Sequence, residues 1–282
     1  MILRAVSHIC MFVFIVFGAF PLQTLASDTL QFGVLNHRSV ILTAQLWNPI
    51  LHYVSEKSGV PLSLKMGKTA AETTKMTVNG EFDFVYTNHL FTPDRNKLGY
   101  KVIARLNTQG IMGQVVTLEA SSIKALADLE GKEVAFPTPD GFTGYWVPMD
   151  GLLRAGIHVK PVFTGNQESS MARLMMGAVA AAGVNSQVME NYARREKIKY
   201  RILYTSEAYL NLPVMANPRI SHDKVEKVRQ ALILMAKDTE GKKILQTASD
   251  MLQSEQTLGF VSAENKDYDN YRHFYQHTLV RE

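Results

Sequence analysis

Cysteine is nearly missing from this chain: one residue, Cys10, in 282. It lies in an apolar stretch near the start, so nothing beyond residue 27 can form a disulfide, act as a thiol nucleophile or ligate a metal through cysteine. Long basic runs are missing too. Thirty Lys and Arg face 26 Asp and Glu, and the excess of +4 is spread thinly, which argues against a nucleic-acid partner. The histidines give no expectation of a metal site, and no cofactor is expected. After the first 27 residues no apolar run is long enough to span a bilayer. No repeat, low-complexity linker or paired nucleophile and base stands out, so an enzyme is not expected.

The first 27 residues, MILRAVSHICMFVFIVFGAFPLQTLAS, carry an early Arg4, an apolar run over residues 9–20, then Pro21 and small residues at Thr24, Ala26 and Ser27. This is the layout of a secretory signal peptide cleaved near Ala26 or Ser27. The expected product is an exported, periplasmic protein of about 255 residues.

From there the pattern alternates. LQFGVL (residues 30–35) reads as a strand, and Leu46, Ile50, Leu51 and Val54 repeat at helical spacing up to Gly59. A second strand, a second helix ending at Asn79 and Gly80, and a third strand, FDFVYTN, complete a β-α-β-α-β opening. Further strands and helices alternate to residue 221. SHDKVEKVRQALILMAKDTEGKKIL then reads as one long helix with Ser221 at its cap, and the tail ends in an aromatic helix. Without a linker, two domains must be interleaved, with the chain crossing near residues 107–115 and 204–207.

Several strings, in this order, carry a resemblance. FGVLNHRSVILTAQLWNPILHYVSEKSGVPLSL and GEFDFVYTNHLF are followed by SSIKALADLEGKEVAFPTPDGFTGYWVPMDGLLRAGI, then by GNQESSMARLMMGAVAAAGVNSQVMENY, SEAYLNLPVMANPRIS and LGFVSAENKDYDNYRHF. Together they resemble the phosphate/phosphite/phosphonate-binding family of ABC-transporter periplasmic receptors. The resemblance covers nearly all of residues 30–274. It implies an α/β fold of the type II periplasmic binding protein kind. Each of two lobes is then a mostly parallel sheet flanked by helices, with the ligand cleft between them. Residues 1–27 are the signal peptide, 28–112 and 205–282 the first lobe, and 113–204 the second. It also implies capture of a small anionic or zwitterionic solute by lobe closure and delivery, as a monomer, to an ABC-transporter permease. A sensor subunit signalling to a membrane kinase or cyclase is the alternative output.

The same resemblance, with strand ends and helix starts as the usual ligand positions, nominates the site: Asn36, Arg38, Tyr86, Asn88, Thr138, Asp140, Thr143, Tyr145, Gln167, Ser169 and Asn185. Arg38 offers a fork for an anion. Asp140, if it faces the cleft, fits a ligand with an amine. One departure stands out. Where phosphonate receptors of the family carry Ser-Thr-Ser-Gly, this chain has Gly141, Phe142, Thr143 and Gly144, and where a Ser-His pair opens the next helix it has Asn166 and Gln167. Each lost donor weakens an oxyanion site by about 1–3 kcal/mol. The ligand is therefore left open between an oxyanion and a solute with an organic or cationic part held by Phe142, Tyr145 and Trp146.

Overall fold

The computed structural model describes residues 29–254 and 256–281. The proposed signal peptide lies outside the described residues. Among those that are described, no helix is long and apolar enough to cross a membrane.

The opening units form as the periodicity predicts. β1 (Leu30–Val34) is followed by α1 (Val40–Ser58), which Ser39 caps by accepting from the Leu42 N–H and which Gly59 ends at φ 67°. β2 (Leu62–Lys65), α2 (Ala70–Val78), β3 (Phe84–Tyr86), the short α3 (Pro93–Asn96) and β4 (Lys101–Leu106) complete the first run. The second run is β5 (Gly113–Leu118), β6 (Glu133–Phe136), α4 (Val147–Arg154), β7 (Lys160–Phe163), α5 (Gln167–Met175), β8 (Ala181–Asn185), α6 (Ser186–Glu196) and β9 (Tyr200–Thr205). The chain then returns through β10 (Pro213–Ala216), α7 (His222–Leu234), α8 (Thr239–Met251), β11 (Phe260–Ser262) and α9 (Asp269–His277).

Two sheets result, ordered β11-β4-β10-β3-β1-β2 and β7-β6-β8-β5-β9. Parallel pairing holds inside the β-α-β units, β1 with β2 and β3, and β6 with β7 and β8. It gives way where the chain crosses or returns: β10 runs antiparallel to β3 and β4, and β5 antiparallel to β8 and β9. The sheets are thus mixed, because a strand arriving from the other lobe needs no helical crossover. Each sheet has its own buried apolar core.

Between the sheets the two crossings pair with each other. Ile111 and Tyr209 exchange both backbone bonds, at 2.7 and 2.8 Å. β9 runs on to Thr205, so the second crossing begins within the expected stretch 204–207 and reaches the bridge at Tyr209. The C-terminal residues also span the lobes. The Thr278 hydroxyl and the Leu279 N–H both donate to Asp150 Oδ1 on α4, at 2.9 and 2.7 Å, and Val280 joins the second lobe's core.

The long helix expected after residue 221 is two helices. Asp238 caps α8 by accepting from the Glu240 and Gly241 N–H groups, and a Cβ at Gly241 would overlap the Met235 carbonyl, so the chain turns tightly here. Ser221 occupies the N-cap position of α7 without a side-chain capping bond. The tail also contributes β11, a strand that its sequence did not announce.

Phe142 anchors the second lobe to the tail. Its side chain is fully buried, with ring centroids of Tyr271, Tyr209 and Phe274 at 4.2, 4.8 and 5.1 Å. Replacing it with alanine (Phe142→Ala) is expected to cost about 3–5 kcal/mol, read as a lower midpoint in urea unfolding. A loss under 1 kcal/mol would contradict this role.

Candidate functional site

The residues that the two lobes bring together enclose a small buried cavity. Its walls are Asn36, His37, Asn88 and His89 from the first lobe and Thr138, Phe142, Thr143, Gly144, Asn166 and Gln167 from the second. Its volume is about 20 Å³, room for roughly one water. No carboxylate lines it.

The loop Pro137–Gly144 ends in a π-helical turn over Phe142–Trp146 that continues as α4. The Tyr145 and Trp146 N–H groups both donate to the Gly141 carbonyl. The N–H groups of Phe142, Thr143 and Gly144 precede that first bonded turn and have no partner within the helix. α5 begins beside them, with Asn166 capping the Ser169 N–H at 2.8 Å. Ala70, the first residue of α2, borders the same cavity. Three helix starts therefore meet at one buried point, each with the positive end of its dipole there.

The side chains are held in a definite order. Asn36 donates to the Gly67 carbonyl at 2.9 Å and accepts from the Thr73 hydroxyl at 2.7 Å, which fixes the β1 edge to the start of α2. Asn185 caps α6 with its oxygen and donates through Nδ2 to the Thr143 hydroxyl at 3.1 Å. That leaves the Thr143 hydrogen free to donate elsewhere. Gln167 accepts from the Asn185 N–H through Oε1 at 3.1 Å, leaving its amide N–H groups as donors. A Cβ on Gly144 would overlap Pro137 and Gln167, so glycine is what allows the turn to approach so closely.

Of the nominated residues, Asn36, Asn88, Thr138, Thr143 and Gln167 line the cavity, and Asn185 stands one bond behind it. Arg38 and Tyr86 open instead on an adjoining groove. Asp140 turns aside to Arg95 of α3, 2.6 Å away, making an ion pair across the cleft. Tyr145 packs edge-on against Phe136 and Phe163, at 5.1 and 5.0 Å. Ser169 contributes its N–H to a cap. The rings of Phe142 and Trp146 are likewise committed to neighbouring aromatic side chains of the protein.

His89, just after β3, is evenly balanced in the sequence between the cleft and the surface, and Arg95 carries no signal there. His89 Nδ1 lies 2.8 Å from the Thr74 hydroxyl, and that hydroxyl donates to the Ala70 carbonyl, so the ring nitrogen is the donor of the pair. Burial is the main cause that pushes its pKa down to about 4; Arg95 acts the same way and Asp140 opposes. Burial, then Arg38 and His89, pushes His37 down to about 3. The sequence also holds one histidine pair at i, i+4 on a helix. His273 and His277 stack on α9 with centroids 4.1 Å apart, though among the described residues no third His, Cys, Asp or Glu joins them to form a metal site.

Both cavity histidines fold in the neutral form, whereas in the unfolded chain each takes up a proton near the ordinary value of 6.5. Their contribution to stability is complete above about pH 6.5 and is lost as pH falls towards about 4 for His89 and about 3 for His37. His89→Gln is expected to flatten the fall in Tm between pH 6.5 and 4, measured by calorimetry. An unchanged slope would contradict a neutral, buried His89.

Comparison with known proteins adds an independent line. No curated protein matches the sequence. Among solved structures, PhnD1 from Prochlorococcus marinus in complex with methylphosphonate superposes with a TM-score of 0.73 at 18% identity, covering 89% of this chain and 98% of that one. A binding-protein component of an ABC phosphonate transporter from Pseudomonas aeruginosa gives 0.73 at 16%, covering 87% and 85%. A protein from Xanthomonas citri bound to ATP gives 0.69 at 16%, covering 89% and 96%. These likenesses establish the two-lobe type II periplasmic binding protein fold. A family model described as "ABC transporter, phosphonate, periplasmic substrate-binding protein" matches residues 32–268. The chain belongs to that family, a substrate-binding protein that works with an ABC transporter and not an enzyme.

Proposed function

We propose that this protein captures a phosphonate-like oxyanion in the cavity between its lobes and hands it to the permease of its transporter. The observation that carries this reading is the meeting of three helix starts on a buried cavity that no carboxylate lines. An anion gains there from backbone N–H groups and helix dipoles together. The donors are the N–H groups of Phe142, Thr143 and Gly144, the Thr143 hydroxyl and the Gln167 amide. Asn36 and Asn185 hold these elements in place. The two hydroxyls missing from the family's loop are lost donors, but the backbone donors of the same turn remain.

The cavity is too small for a phosphonate group, so loading requires the lobes to part. In this reading the lobes are residues 28–112 with 205–282 and residues 113–204, following the two sheets, and the strand pair at Ile111 and Tyr209 is the hinge. The Arg95–Asp140 pair is a further link across the cleft. Export through residues 1–27 belongs to the same reading.

Methylphosphonate, phosphite and phosphate are expected to raise Tm with concentration, as mass action requires of a ligand that binds only the folded state. Gly144→Ala, whose added methyl displaces Gln167, is expected to abolish the shift. A wild-type protein whose Tm none of the three anions moves would refute the oxyanion reading.

A further inference from the structure

Next to the cavity lies a much larger groove of about 450 Å³, walled by the hinge crossings, by α6 and β5 of the second lobe, and by His37, Arg38 and Tyr86 of the first. His37 borders both spaces. So the groove is the continuation of the cleft, and an apolar recess of about 70 Å³ opens from it beneath Arg38 and Tyr86.

Two features mark the groove as shaped for a polar solute. Gln114 on β5 is 5% exposed, yet its Oε1 is the one buried side-chain polar atom among the described residues that lacks a hydrogen-bond partner. Orphaned buried acceptors are rare, and one lining a groove points to a donor supplied from outside. Arg38 is the second feature. It is half-buried, and among the described residues no carboxylate lies within 4 Å of it. The acid whose field it feels, Glu168, is bonded to Arg195 at 3.0 Å. Among the described residues, the one carboxylate that lines the groove is Glu190, 3.8 Å from Arg194. Arg38 therefore faces the groove as a cation with no described carboxylate paired to it, which suits a second anion.

We propose that the solute carries two anionic groups: a phosphorus oxyanion in the buried cavity and a carboxylate or similar oxyanion on Arg38 in the groove. Resting on the oxyanion reading above, this adds the substrate class. The guanidinium fork matches a carboxylate bidentately. A hydroxyl or amide N–H between the two charges would meet Gln114.

The test is calorimetric titration of the purified protein with ethylphosphonate, with ω-phosphonocarboxylates of two to five carbons, and with 2-aminoethylphosphonate. At least one phosphonocarboxylate is expected to bind about tenfold or more tightly than ethylphosphonate, the gain of a charge-assisted pair. That preference should shrink with added salt. R38Q should remove it, and R38K, which keeps the charge without the fork, should keep part of it. If ethylphosphonate binds but no phosphonocarboxylate binds better, or if 2-aminoethylphosphonate is preferred, the second-anion inference is overturned while the cavity reading stands. A preference that survives R38Q overturns the assignment to Arg38. If no phosphonate binds at all, the cavity reading fails and takes this inference with it.

Discussion

The packing of Phe142 against the tail and the hinge is the contact on which the rest of the molecule depends. The residue sits where the solute loop becomes a helix. Its ring points away from the cavity into Tyr271, Tyr209 and Phe274, while its backbone N–H stays at the helix start. One residue thereby joins three things: the loop that faces the solute, the crossing strand at Tyr209, and α9 at the end of the chain. Aromatic burial of this kind dominates core energetics, so the loop is held by packing and its donors are left for the ligand.

One other link across the cleft is much weaker. Arg95 and Asp140 are each about a quarter exposed, and an ion pair in that setting contributes little net stability. The contrast suits a binding protein. The crossings combine a strand pair with an aromatic cluster, whereas Arg95 and Asp140 form a pair that water can replace. A solute that adds bonds from both lobes then shifts the balance towards the closed form.

Most of the fold was legible because its units are local. Apolar spacing in α1, glycine at residue 59 and the run of short strands each follow from periodicity. The misses came where distant chain decides. β11 exists because β4 offers it an edge, and the break at Asp238 depends on one capping side chain inside a continuous apolar pattern. Antiparallel pairing at β5 and β10 reflects crossings that periodicity does not record. At the site, residues on strand ends and helix starts could be nominated from position alone, and Asn36, Asn88, Thr138, Thr143 and Gln167 do share one cavity. What no local pattern supplies is direction. Asp140 faces Arg95, 45 positions away in sequence, and Tyr145 faces Phe136 and Phe163, because those partners arrive only when the chain is folded.

The bonds from Thr278 and Leu279 to Asp150 change what kind of motion the lobes can make. Two strands lying side by side form a ribbon, and a ribbon both bends and twists. A third strand of chain, fastened at α4, turns the ribbon into a tripod mount. A motion that draws α4 away from the tail then has to break the hydrogen bonds at Asp150. The two faces of the cleft should therefore come back together in the same register on every cycle, as a site built from donors on both lobes requires.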